Sequence, residues 1–154
     1  MKRERFRITS GASENEQPEK ILHRKLCSYL KENYPEVYFF SDPSGLRVTP
    51  GLRIQLQQTH SAHPQLDLVI LEPSLQYKAL VLELKAESPY KKNGELLKSD
   101  HLEKQLKTMN FLKSKGYHCL FAWTEDMARA IFNEYLGLPV IVPELSLREQ
   151  FDLM

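Results

Sequence analysis

Two apolar runs lie close together in the middle of this chain, Leu66-Asp-Leu-Val-Ile-Leu71 and Ala79-Leu-Val-Leu-Glu-Leu-Lys85, and they constrain the fold more than any other feature. Each is too short for an ordinary helix, and each is nearly continuous rather than alternating, the pattern of a strand covered on both faces. The stretch Glu72-Pro-Ser-Leu-Gln76 between them suits a chain reversal. Strands of this kind need packing partners above and below, so the flanking sequence has to supply helices.

It does. Ile21, Leu22, Leu26, Tyr29 and Leu30 recur at helical spacing behind Pro18, and Asn33 with Pro35 ends that helix. Val37 to Phe40 reads as a strand, and Leu46 to Gln58 as a ragged hairpin around Thr49-Pro50-Gly51. After a polar, Lys-rich loop over 87–98, Ser99 and Asp100 can cap a helix whose Leu102, Leu106, Met109 and Leu112 form one apolar stripe, with Gly116 as its stop. A strand over Tyr117 to Trp123 and a helix from Glu125 to Leu136, ended by Gly137, follow. The order α-β-β-β-α-β-α predicts an α/β fold, a mixed central sheet flanked by helices, in one domain over 18–137. Residues 1–17 read as a flexible basic arm, and 138–154 as a tail that packs on the domain or extends from it. Tyr38, Phe39, Phe40, Phe121 and Trp123 sit in strand patterns and are read as core.

With 154 residues and 42% hydrophobic content, the chain is long enough to bury a core of its own. Its net charge of +1 names no partner. The distribution says more: Lys and Arg outnumber Asp and Glu 10 to 7 over residues 1–60 and 8 to 4 over 85–115, against 2 to 6 over 116–154. Two basic stretches therefore flank the central strands. Cys27 and Cys119 form no CxxC pair and read as reduced thiols. No apolar run approaches the roughly 18 residues of a membrane span. The basic start of the chain is followed by no apolar segment of the signal-peptide kind, so a soluble, cytoplasmic protein is expected.

Three residues do not belong in a core. Alternation along Ala79 to Lys85 puts Leu80, Leu82 and Leu84 on one face, and Val81, Glu83 and Lys85 on the other. Asp67 opens the neighbouring strand. A buried carboxylate costs several kcal/mol (order of magnitude) unless it is paired or holds a cation. Asp67, Glu83 and Lys85 fit metal-assisted phosphodiester hydrolysis: two carboxylates and the backbone carbonyl of Leu84 can hold Mg²⁺ or Mn²⁺, which prefer oxygen ligands, while Lys85 orients a water or offsets charge on the phosphate. Spacing alone leaves this reading level with a simple Glu–Lys pair on a solvated strand face.

Further residues in order shift that balance. Glu19 opens the first helix as Glu-x-x-Leu-His-x-x-Leu-x-x-Tyr-Leu; Asp67 leads Asp-Leu-Val-Ile-Leu; Glu83-Leu-Lys85-Ala follows; and Gln105 stands in Gln-x(6)-Leu-x(3)-Gly. Over roughly residues 16 to 136 the chain resembles the VRR-NUC (virus-type replication-repair nuclease) domain of the PD-(D/E)XK nuclease superfamily. The resemblance implies a restriction-endonuclease-like sheet, Asp67 and Glu83 as metal ligands, and Lys85 as the catalytic lysine. It also implies that Glu19 reaches the metal directly or through water, and that Gln105 acts near the attacking water or phosphate. Members of the family cut DNA with divalent cations, several on branched or flapped structures in replication, repair and recombination. The small stand-alone viral forms resemble dimeric Holliday junction resolvases, which would place a phage-encoded example in the host cytoplasm. Two departures stand out: Pro64-Gln65-Leu66 precedes Asp67 where the family has Gly-x-Pro, and the 46–64 segment lacks a compact Arg-rich hairpin.

The resulting expectation is a metal-dependent DNA endonuclease selective for DNA structure. The alternative is a catalytically inactive nuclease-like module that binds DNA or a replication partner, and a third reading is a nuclease acting on RNA. Arg47 and Arg53, with Lys91, Lys92 and Lys98 of the later loop, are the candidate phosphate contacts, each equally readable alone as a solvated charge. His23, one turn after Glu19, is a weak candidate ligand, and His60-x-x-His63 reads as incidental rather than as a zinc site. No Gly-rich phosphate loop, Ser-His-Asp arrangement or nucleotide fingerprint is present, so no nucleotide cofactor is expected.

Overall fold

The computed structural model describes residues 17–42 and 49–137. The basic arm apart from Gln17, Arg47, and the 138–154 tail lie outside the described residues. The elements in chain order are α1 (Pro18–Asn33), β1 (Phe39–Ser41), α2 (Pro50–Thr59), β2 (Leu68–Ile70), β3 (Leu80–Leu84), α3 (Asp100–Ser114), β4 (His118–Ala122) and α4 (Glu125–Leu136). The strands form one mixed sheet in the order β1-β2-β3-β4, antiparallel at the first two joints and parallel between β3 and β4. A parallel joint needs a crossover, which α3 provides.

All five residues of β3 are buried, as its unbroken apolar run predicts. One face of the sheet packs Leu68, Ile70, Leu80, Leu82 and Leu84 against Leu22, Leu26 and Leu30 of α1 and against Ala128, Phe132 and Tyr135 of α4. The other packs Leu66, Val81, Cys119 and Phe121 against Met109, with Leu102, Leu106 and Leu112 of α3 around them. Each large aliphatic side chain so buried contributes about 1.5–3 kcal/mol. The two cores divide β3 by alternate residues, and the division sends Glu83 to the α3 side.

Helix ends follow their sequence signals. Ser99 accepts the Leu102 N–H at 3.4 Å and Thr124 accepts the Met127 N–H at 3.1 Å, capping α3 and α4. Gly116 has φ +94°, with its own N–H on the Lys113 carbonyl and the Tyr117 N–H on that of Leu112, a Schellman closure that favours glycine.

Two expectations need correction. The segment read as a hairpin around Thr49-Pro50-Gly51 is helical from Pro50 onward. Thr49 caps it, accepting the Leu52 N–H at 3.3 Å, and Pro50 takes the first helical position. Leu52, Ile54 and Leu56 alternate like strand residues, but none of the residues of α2 is buried, so no 3.6-residue stripe marks the helix in the sequence. The strand-pattern aromatics also divide: Phe121 is buried and Phe39 packs against the core, but Tyr38 is 68% and Phe40 48% exposed. Phe40 lies opposite Val69 on the edge strand, on the face whose covering helix, α3, packs against β4 at the other edge.

Candidate active site

The β2–β3 register pairs Leu68 with Leu82, so its next step sets Asp67 opposite Glu83 at the end of the ladder. There β2 gives way to a bend. Asp67 still continues the β1 side through its carbonyl, which accepts the Asp42 N–H at 3.0 Å. On the β3 side its side chain replaces a strand neighbour: Oδ2 accepts the Leu84 N–H at 2.7 Å. Two residues further, Glu19 Oε1 accepts the Ala86 N–H at 3.3 Å. Two carboxylates from distant parts of the sequence thus hold alternate backbone amides where β3 leaves the sheet. Between them is a cleft of about 70 Å³, lined by Gln17, Glu19, Lys20, His23, Asp42, Asp67 and Leu84.

Glu83 points to the other side and is only 4% exposed. Its Oε1 receives the Lys85 ammonium at 3.3 Å and a hydrogen bond from Gln105 Nε2 of α3. Its Oε2 is buried without a hydrogen-bond partner, and so is Gln105 Oε1. Burial, and next the charge of Asp67, push the Glu83 carboxyl up to about 8, against the pull of Lys85. Asp67 is also raised, chiefly by burial and further by Glu19, while the Leu84 N–H, His23 and Lys85 oppose the shift. A buried carboxyl that a neighbouring carboxylate pushes further up, as Asp67 does Glu83, is what a bound cation would relieve.

The structure therefore brings together Glu83, Lys85 and Gln105 on one side, and Asp67, Glu19 and Leu84 in the adjoining cleft, with Asp67 opposite Glu83 at the end of the β2–β3 ladder. The donor chemistry fits a hard cation: an orphaned buried carboxylate oxygen beside a second carboxylate. Among the described residues no group of three or more His, Cys, Asp or Glu side chains is gathered to hold a metal. This is compatible with Mg²⁺, which commonly takes one or two carboxylates and completes its shell with water and substrate phosphate.

His23 lines the cleft with its Nε2 2.8 Å from Ser41 Oγ. Its hydrogen bond with Cys27, together with the charges of Cys27, Asp67 and Asp42, holds its pKa above the ordinary value against burial. His63 stacks on Phe111 at 4.7 Å between ring centroids. Of the candidate phosphate contacts, Lys91, Lys92 and Lys98 are exposed. Lys91 pairs with Glu95 at 3.3 Å across a turn closed by the Tyr90–Leu96 bridge. That loop is anchored beside the site, with Tyr90 edge-on to Phe121 and Trp123. Arg53, exposed on α2, lines a cleft of about 430 Å³ with Leu56, Gln57, His60, Ser61, His63 and Gln65. The sequence reading does not single out His101, whose Nε2 lies 3.0 Å from Gln105 Nε2. Their four-residue spacing on one helix is the signal that could have found it.

No protein-family profile matches the chain, and no curated protein matches it in sequence. Among solved structures, a VRR_NUC domain protein is similar, with a TM-score of 0.54 and 16% identity over 79% of this chain and 90% of that chain. The chain shares the fold of that protein, the architecture its motifs imply.

Proposed function

We propose that this chain is a Mg²⁺- or Mn²⁺-dependent nuclease that hydrolyses DNA phosphodiester bonds, selective for branched, junction or flapped structures. The observation that carries the reading is the Glu83 carboxylate. It is buried in the most enclosed strand, one oxygen is unpartnered, Asp67 lies opposite, and Lys85 is 3.3 Å away. A buried ionisable group whose proton affinity is so strongly shifted is a recurrent mark of a working site. Asp67 and Glu83 would hold the cation, with Glu19 and the Leu84 carbonyl as further candidate ligands. When bound, the cation supplies Lewis acidity toward the phosphate and lowers the pKa of a water. Lys85, held by Glu83, offsets charge that develops on the phosphate. Exposed Arg53, Lys92 and Lys98 contact flanking phosphates without reading bases. By resemblance the working form is a homodimer, measurable as mass in solution.

The deciding experiment incubates the protein with junction, flap and linear DNA in Mg²⁺, Mn²⁺ or chelator. Cleavage that needs the cation, and that Glu83→Gln and Lys85→Ala abolish, is the expected result. The rival reading, an inactive DNA-binding module, is favoured by the lack of a three-ligand group among the described residues. It predicts salt-sensitive binding unaffected by chelator and no cleavage of any substrate. Exchanging each DNA strand for RNA in turn tests the third reading.

A further inference from the structure

Gln105 Nε2 stands between two atoms that differ in kind: Glu83 Oε1 on β3, and His101 Nε2 one turn earlier on its own helix, 3.0 Å away. An amide nitrogen only donates, and it carries two hydrogens. Both flanking atoms must therefore accept, which makes His101 the neutral tautomer with its proton on Nδ1. A terminal amide has two orientations that exchange nitrogen and oxygen. Glu83 Oε1 already accepts from Lys85, so a half-turn would set Gln105 Oε1 against an acceptor and lose that bond, and the His101 tautomer follows from the orientation so fixed. What the pair of acceptors fixes is thus the position of Oε1, which is buried and has no partner, as is Glu83 Oε2. Gln105 is 3% exposed, so bulk water does not satisfy that oxygen.

We infer that His101 is a positioning residue. By accepting the second amide hydrogen it holds Gln105 Oε1 as a fixed acceptor for a proton of the attacking water. The inference rests on the nuclease reading of the site for its consequence, but the orientation it assigns does not. The competing role for an exposed histidine beside a phosphodiester is direct contact as a cation, and the two roles ask for opposite replacements. Gln at 101 can accept a hydrogen bond without charge; Lys can only donate and is charged.

The test compares wild type with His101→Ala, His101→Gln and His101→Lys in steady-state cleavage of a junction with Mn²⁺, checking each fold by circular dichroism. Ala and Lys should lower kcat by about tenfold, with KM within about twofold, and Gln should restore kcat to within about threefold of wild type. Wild-type kcat in the Ala variant, or rescue by Lys and not by Gln, overturns the inference. A second readout needs no activity: ¹⁵N NMR of the wild type should show the Nδ1-protonated tautomer of His101 and a protected Gln105 side-chain amide that becomes exchangeable in the Ala variant. A protonated Nε2, or an amide equally protected in both proteins, overturns it too. If NMR gives the expected pattern while wild type cuts nothing, the nuclease reading fails and the assigned orientation stands.

Discussion

Asp67 Oδ2 accepts the N–H of Leu84 at 2.7 Å, so the carboxylate that opens β2 also ends the ladder on β3, immediately beyond Glu83. One side chain has a structural and a chemical role, and two substitutions separate them. Asp67→Asn keeps an acceptor for the amide and removes a charge whose burial is unfavourable. Its stability should equal or exceed wild type, while cleavage falls by about a hundredfold or more. Asp67→Ala strands a backbone N–H, and should lose about 1–3 kcal/mol of stability as well as activity. Urea unfolding of both variants beside a cleavage assay checks this; an active Asn variant would remove Asp67 from the site.

Gly116 joins α3 to β4 at φ +94° while its carbonyl accepts the Lys78 N–H at 2.9 Å, tying that turn to the start of β3. A Cβ there would meet Lys78 Cε at 3.4 Å, contact that a flexible side chain relieves, so the cost of alanine is mainly the left-handed backbone. Gly116→Ala should cost about 1–2 kcal/mol and lower Tm by several degrees. Cleavage at 25 °C should remain near wild type, because the turn lies at the opposite end of β3 from Glu83. Differential scanning calorimetry reads the first effect and the cleavage assay the second.

The parts of this molecule that were legible in the sequence are those in which burial and local chemistry agree. The apolar run of β3 marks a central strand, and Ser99, Thr124 and Gly116 mark helix ends with the hydrogen bonds seen there. Glu83 and Lys85 stand out because strand alternation aims them together. The hairpin reading of α2 fails because a helix that buries nothing carries no amphipathic imprint, leaving Leu52, Ile54 and Leu56 to imitate a strand. Tyr38 and Phe40 look like core because an edge strand has the same composition whether or not a helix covers it. The bond between Glu83 and Gln105 joins residues 22 positions apart across a crossover, which spacing along the chain does not encode.

If the loop after β3 follows the DNA backbone, its lysines should be felt in the salt dependence of binding. Lys91 is paired with Glu95, whereas Lys92 and Lys98 are exposed with no ion pair to any described residue at salt-bridge distance. Lys92→Ala and Lys98→Ala should each reduce the slope of log K against log salt by about 1, whereas Lys91→Ala should change it less. Fluorescence anisotropy with a labelled junction in chelator, across a salt series, measures the slopes. Unchanged slopes in both variants would place the DNA elsewhere.

Glu83 gives the protein a pH dependence whose sign can be worked out. Its carboxyl is raised from an ordinary 4.5 to about 8 in the metal-free protein. Between those values the folded chain binds more protons than the unfolded one, so this contribution to stability is complete below about 4.5 and is lost as pH rises through about 8. Glu83→Gln is neutral throughout. In chelator its Tm should match wild type at pH 4 to within about 1 °C and exceed it at pH 8.5 by about 4 °C or more. Added Mn²⁺ should reverse the order at pH 8.5: wild type gains Tm as the cation binds the ionised carboxylate and displaces its proton, and the Gln variant gains little. A wild type whose Tm rises from pH 4 to 8.5 in chelator while the Gln variant stays flat would mean that the Lys85 ion pair outweighs burial. Equal gains with Mn²⁺ would mean that the cation binds without Glu83.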